Sequence, residues 1–217
     1  MKSKYVAVIG LGLFGSTVAK ALAGFGDHVL GIDIDKKRAS SLADELNDVV
    51  IADCRDEDAL REAGIDGYDT AVVAIGEDLE ANIICAMNVK MLGVKTIWAK
   101  SLSQTHHRIL HKIGVDRVIH PEEEIGQHIA QALHNPLVRD YISLGNGFYI
   151  VDVQVPDGLD GFRLSETELE KYEVQCLGVM RGSTLLSPQD ADSTVKSGDK
   201  LLLLGKRDNL QRYGDKL

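Results

Sequence analysis

The chain has 217 residues, 44% of them hydrophobic, and a formal charge of -9 at pH 7, enough for one large domain or one medium and one small domain around a buried core. That acidic balance argues against a nucleic-acid surface, which needs clustered Lys and Arg to neutralise phosphates. Three cysteines, Cys54, Cys85 and Cys176, show no CxxC or zinc spacing and point to a reducing cytoplasm, and no apolar run approaches the roughly 20 residues that span a bilayer.

Apolar runs rich in β-branched residues alternate with amphipathic segments from the first residues onward. Strand "YVAVIG" precedes a helix from Phe14, strand "HVLGID" precedes helix "KKRASSLADEL", and strand "VVIA" precedes a short helix near "EDALREAG". Strand "TAVVAIG", helix "LEANIICAMNVKML", strand "TIWAK", helix "QTHHRILHKIG" and a short strand "RVIH" follow. This rhythm predicts a Rossmann-like α/β domain over 1–120, a doubly wound parallel sheet with right-handed crossovers. From Pro121 the rhythm changes: "PEEEIGQHIAQALHNPLVRDYISL" reads as a helix stopped at Asn135-Pro136 and then a short second helix, a connector over 121–144. Over 145–217 short strands "FYIVDVQVP", "VQCLGVMRG", "STLLSP" and "DKLLLLGKR" predict a small α+β lobe, with one small helix around "LSETELEKY" and another at the end.

The glycines of "VIGLGLFG" carry the chemistry. Gly10, Gly12 and Gly15 lie between a buried strand and a helix start, where backbone can approach an anion and the helix dipole favours negative charge. Asp33 ends the second strand 18 positions after Gly15, close to the roughly 20 expected of a carboxylate that binds ribose hydroxyls and disfavours a 2′-phosphate. Asp53, in "VVIADC", suits either a place beside an adenine ring or the cap of helix "RDEDAL". His107 and His111, spaced i,i+4 with His106 adjacent, can share a helix face, but no acidic or Cys ligand stands at zinc spacing, which favours a polar helix face or subunit contact. "PEEE" starts a helix with Pro first and carboxylates at its positive end; three carboxylates could also hold a hard cation with oxygens from a second chain. No nucleophile, base or Tyr-xxx-Lys pair accompanies the nucleotide motif, so a binding module is expected rather than an enzyme.

The stretches "VIGLGLFG", "VVIADCRDEDALREAGID", "NVKMLGVKTIWAKSLSQTHHRILHKIGVDRVIHPEEEIG" and "VKSGDKLLLLGKRDNLQRY" resemble the RCK (KTN, TrkA-like) proteins, cytosolic regulators of potassium channels. The resemblance covers nearly the whole chain. It implies dimers that build an octameric ring on the inner face of the membrane, beneath a KtrB-like integral membrane potassium-channel subunit, switched by ATP and ADP. By the same resemblance Gly10, Leu11, Gly12, Phe14 and Gly15 surround the phosphates, Asp33 holds the ribose, Asp53 and Cys54 lie near the adenine, Ile75, Gly76 and Glu77 line the cleft, and Lys100 closes it. Glu122 matches a glutamate that helps bind a cation, magnesium, calcium or sodium, between subunits. The family commonly has arginine where this chain has Leu13, a cation that reaches the γ-phosphate held by the neighbouring chain, so a weakened preference for ATP is expected. An NAD(H)-dependent oxidoreductase, or a sensor subunit of a different transporter, are the competing functions.

Overall fold

The computed structural model describes residues 3–134, 138–188 and 194–217. They form two units, Met1–Pro121 and Glu122–Leu217.

The first unit runs β1 (Tyr5–Ile9), α1 (Leu13–Gly24), β2 (His28–Asp33), α2 (Lys36–Ser40), β3 (Asp48–Ile51), α3 (Glu57–Glu62), β4 (Thr70–Val73), α4 (Leu79–Met91), β5 (Thr96–Lys100), α5 (Gln104–Ile113) and β6 (Arg117–Ile119). All six strands are parallel, in the order β3-β2-β1-β4-β5-β6. The chain reverses its winding between β1 and β4, and in open α/β sheets the crevice at the carboxyl ends of those strands is where ligands bind. The strands read as continuous apolar runs because both faces are covered: Ala7, Ile9, Leu30 and Ile32 pack in one core, Val6, Val8 and Val29 in the other.

Helix α2 is shorter than the segment "KKRASSLADEL" predicts. The Ser41 hydroxyl donates to the Arg38 carbonyl (2.8 Å), and the next N–H groups turn to carbonyls three residues back, Leu42 to Ala39 and Glu45 to Leu42. Serine side chains that bond nearby backbone compete with helix in this way.

The second unit begins on α6 (Pro121–His134) and adds β7 (Val138–Gly145), β8 (Phe148–Gln154), β9 (Gln175–Arg181), β10 (Thr184–Leu186), β11 (Lys200–Lys206) and α7 (Arg207–Gly214). Its sheet is antiparallel, in the order β10-β9-β11-β8-β7. Residues Val138–Gly145 are therefore a strand of this sheet and not a second connector helix. The cause is the turn: Gly145 pairs with Phe148 across Asn146-Gly147, both at positive φ (52° and 78°), as a two-residue hairpin turn requires. The expected helix stop at Asn135-Pro136 lies outside the described residues. "LSETELEKY" forms two 3-10 turns, Leu164–Thr167 and Leu169–Tyr172, rather than one helix, because Glu168 between them takes φ +60°. Leu201 and Leu203 of β11 pack with Val151, Val153, Val179 and Tyr213 as the core.

The position of α1 depends on Gly15. A Cβ there would stand 1.8 Å from the Gly10 carbonyl oxygen and 3.0 Å from the Ala74 Cβ. Gly15→Ala is expected to cost about 3 kcal/mol, roughly 6–12 °C in melting temperature for a chain of this size, because backbone rather than a flexible side chain must move. Thermal melts followed by circular dichroism check this; an unchanged midpoint would mean that α1 does not sit this close to β1.

Candidate functional site

The three glycines have different reasons to be glycine. Gly10 stands at φ +92°, donates to the Ile32 carbonyl (2.8 Å), and lies where a Cβ would come 3.0 Å from Ile75 Cγ1 and 3.1 Å from the Ala74 carbonyl carbon. Gly15 is fixed by the contact described above. Gly12 has an ordinary φ of -64°, and the nearest atom to a Cβ there is Arg38 Nη1 at 3.9 Å. The fold thus requires glycine at 10 and 15 and tolerates a side chain at 12, where the space over the backbone is what a close-lying anion needs. Gly12 also caps α1 without a side-chain hydrogen bond, and the first turn holds no acidic residue, so the positive end of the helix meets no carboxylate of its own helix.

Asp33, 5% exposed at the end of β2, ties two elements together. Its Oδ2 accepts from Leu11 N (2.6 Å) and its Oδ1 from Asp35 N (2.8 Å). These bonds use two of about four acceptor positions on an ionised carboxylate, so the group can accept further donors.

The opposite wall is held by two buried asparagines of α4. Asn82 Nδ2 donates to the Ile75 carbonyl (2.6 Å) and the Lys100 carbonyl (3.1 Å), joining the loops after β4 and β5. Asn88 Nδ2 donates to the Cys54 and Arg55 carbonyls (3.1 and 3.0 Å), fixing the loop after β3. Buried Lys100 places its ammonium 5.7 Å from the centre of the Phe14 ring and 3.0 Å from where a Gly76 Cβ would stand. Cys54 lies under this wall, its thiol drawn below the usual range by a hydrogen bond with the Cys85 thiol, while burial pushes Cys85 up.

The structure brings Gly10, Leu11, Gly12, Gly15, Asp33 and Ile75 to one side of the crevice and Phe14, Gly76 and Lys100 to another. Leu13, 89% exposed, and exposed Glu77 are not drawn into these contacts. Asp53 does not cap α3; Asp56 does, accepting from Asp58 N and Ala59 N. Asp53 instead forms a bidentate pair with Arg55 (Nη2 to Oδ2, 2.7 Å), whose guanidinium holds its carboxyl below the usual range. His107 does not pair with His111; its Nδ1 lies 2.8 Å from Nε2 of His120, with the rings stacked. Among the described residues no three His, Cys, Asp or Glu side chains converge as metal ligands. The sequence reading missed Arg38, Asn82 and Asn88, and named His106 only beside His107 and His111; the two asparagines, amides within an otherwise apolar stretch of α4, were the available signal.

The TrkA-N domain family matches residues 6–121. The chain is 36% identical over 208 residues to the Ktr system potassium uptake protein A of Vibrio alginolyticus, covering 95% of this chain and 94% of the relative. It is 34% identical over 215 residues to the Ktr system potassium uptake protein A of Bacillus subtilis (strain 168), covering 98% and 96%. Its fold is similar to that of the GsuK channel bound to NAD, with a TM-score of 0.65 at 15% identity over 96% of this chain and 38% of that one. A parallel sheet in Rossmann order, a glycine turn tied to an aspartate at the end of β2 and a small antiparallel lobe define the class; the chain belongs to the TrkA-N family.

His106 reports on the site's integrity. It is buried, its Nδ1 accepts from Leu102 N (3.3 Å), and its Nε2 faces Asn82 Oδ1 (3.2 Å), which assigns the neutral ring with its proton on Nε2. Burial, and then the charge of His120, hold it below the ordinary 6.5. The folded state therefore binds fewer protons than the unfolded one below about pH 6.5, so this contribution is complete above that pH and is lost as pH falls toward the depressed value. Melting temperature is expected to drop between about pH 7 and pH 5, and to drop less in His106→Gln. Parallel curves for the two proteins would remove His106 as the cause.

Proposed function

We propose that this chain is a nucleotide-binding regulatory subunit that assembles as a ring and gates a membrane potassium-uptake channel in response to ATP and ADP. The observation that carries the reading is the glycine turn: Gly12 is open where the fold does not need it open, at a helix start with no acid of its own, beside a carboxylate already oriented by Leu11 N. The likeness to Ktr system potassium uptake proteins over nearly the full chain supplies the transport context. In this reading the backbone of Gly10 to Gly15 cradles phosphates, Asp33 accepts from the ribose, Ile75 and Gly76 line the cleft with Glu77 at its rim, Cys54 and Asp53 border the adenine, and Lys100 closes the phosphate end. In this reading the protein is a binding subunit rather than an enzyme, a role supported by the likeness to potassium uptake proteins.

Assembly is supported by α6, where Ile125, Ile129 and Leu133 recur at four-residue spacing and are 59%, 51% and 77% exposed. Such a stripe is suited to pairing with a second copy, and dimers repeated around an axis give the proposed octamer. No described helix is long and apolar enough to cross a membrane. The likeness to Ktr system potassium uptake proteins supports a place on the inner face of the membrane, held there by a KtrB-like partner. An NAD-dependent oxidoreductase is the second reading, supported only by the fold, and turnover of NADH with a substrate would establish it.

Gly12→Val tests the site. Since the nearest atom stands 3.9 Å from the new Cβ, the variant is expected to fold with about 1 kcal/mol lost at the helix cap, yet to lose binding of ATP, ADP and NADH. Calorimetry decides it, and unchanged affinities would remove the site. Recovery of the chain with a channel subunit from membranes, and potassium uptake with and without the gene, test the function.

Glu122 stands in the first turn of α6, and no described residues complete a cation site around it within one chain. A magnesium, calcium or sodium ion there needs oxygens from a second copy. Such an ion would raise the melting temperature of the assembly in proportion to its occupancy, and Glu122→Gln would reduce that rise. Equal shifts in both proteins would remove Glu122 as a ligand of the ion.

A further inference from the structure

We propose that Arg38, supplied by α2 of the same chain, is a cation that binds the phosphates nearest the ribose in the nucleotide site. The inference rests on the nucleotide reading above and adds to it a residue that neither the glycine motif nor the resemblance assigns.

Arg38 Nη1 is the nearest atom to the open space over Gly12, 3.9 Å from where a Cβ would stand. Its guanidinium makes no hydrogen bond or ion pair among the described residues, although its backbone N is held by Asp35 Oδ1 (3.3 Å). The scaffold behind it is continuous. Asp33 takes Leu11 N on one oxygen and Asp35 N on the other, and Asp35 in turn takes Lys37 N (2.7 Å) and Arg38 N. One buried carboxylate therefore sets both the glycine turn and the start of the helix that carries Arg38. A ribose on Asp33 leads its phosphates toward Gly12, and an arginine fork over that glycine meets them with the geometry that phosphate oxygens favour. Lys36 and Lys37 share the helix, but neither is the side chain that reaches Gly12. Leu13, exposed on the first turn of α1, offers no cation there.

The contact falls on the phosphates next to the ribose, which ATP and ADP share. Calorimetry of the full chain with ATP, ADP and adenosine, for wild type, Arg38→Gln and Arg38→Lys, tests this. Arg38→Gln is expected to weaken ATP and ADP by the same factor, roughly ten- to a hundredfold, to leave adenosine unchanged, and to keep the wild-type melting temperature; Arg38→Lys is expected to recover part of the loss. Equal weakening of adenosine would make Arg38 a partner of the base and overturn the proposal, as would unchanged affinity for ADP. A wild-type chain that binds none of the three ligands overturns the nucleotide reading itself, an outcome separate from a wild type that binds and a variant that binds equally well.

Discussion

The crevice exists because α1 lies almost against β1. Two glycines meet there, the carbonyl of Gly10 filling the space that any side chain at Gly15 would occupy. That approach brings the positive end of α1 to the carboxyl ends of β1 and β4, at the reversal of strand order, instead of letting it ride over the sheet edge. Everything proposed for the site uses this placement. The backbone donors, the dipole and the open face at Gly12 are properties of a helix start, and only close packing aims that start at the crevice.

Around this contact the walls are fixed by polar groups that are themselves buried. Asp33 binds the glycine turn to the start of α2, while Asn82 and Asn88 bind the loops after β3, β4 and β5 to one helix. Loops carry backbone carbonyls that the sheet no longer satisfies, and leaving such groups unpaired in a dry interior costs about 1–3 kcal/mol each. The asparagines meet that need and, in doing so, set the spacing between the β4 and β5 loops where Lys100 lies. A change at Asn82 is thus expected to move site residues that it does not touch.

The doubly wound sheet was legible because its strands are buried on both faces and read as unbroken apolar runs, and because a strand, glycines and a helix occur in immediate succession. The antiparallel lobe was legible in its strands but not at its start. Val138–Gly145 lacks the clean alternation of an exposed edge strand, and the hairpin turn that pairs it with β8, Asn146-Gly147, falls just past the expected end of the connector. Within the site, the phosphate turn and Asp33 could be found because their spacing is local. Arg38 carried no such signal, and Asn82 and Asn88 only their place in an apolar stretch, since each acts on a segment brought to it by tertiary packing, 18 to 34 positions away for the asparagines' more distant partners. Of the two roles open to Asp53, the cap of α3 fails for a different reason: Asp53 and Asp56 both precede the helix, and only backbone geometry shows which one faces its free N–H groups.

A nucleotide switch needs more than a nucleotide site, because a ligand shifts an equilibrium only by its difference in affinity for the two states. On the proposed reading, the groups gathered within one chain, Gly12, Asp33 and Arg38, face the ribose and the phosphates nearest to it, which ATP and ADP have in common, and so confer affinity without discrimination. Sensing the γ-phosphate would then fall to groups farther along the crevice, such as buried Lys100, or to a second copy of the chain. With Leu13 in place of a cation, this chain sends no arginine from that position to a neighbour. On the proposed reading, affinity and discrimination are therefore divided between structures: the first is built into the Rossmann unit, and the second depends on Lys100 and on how two units meet.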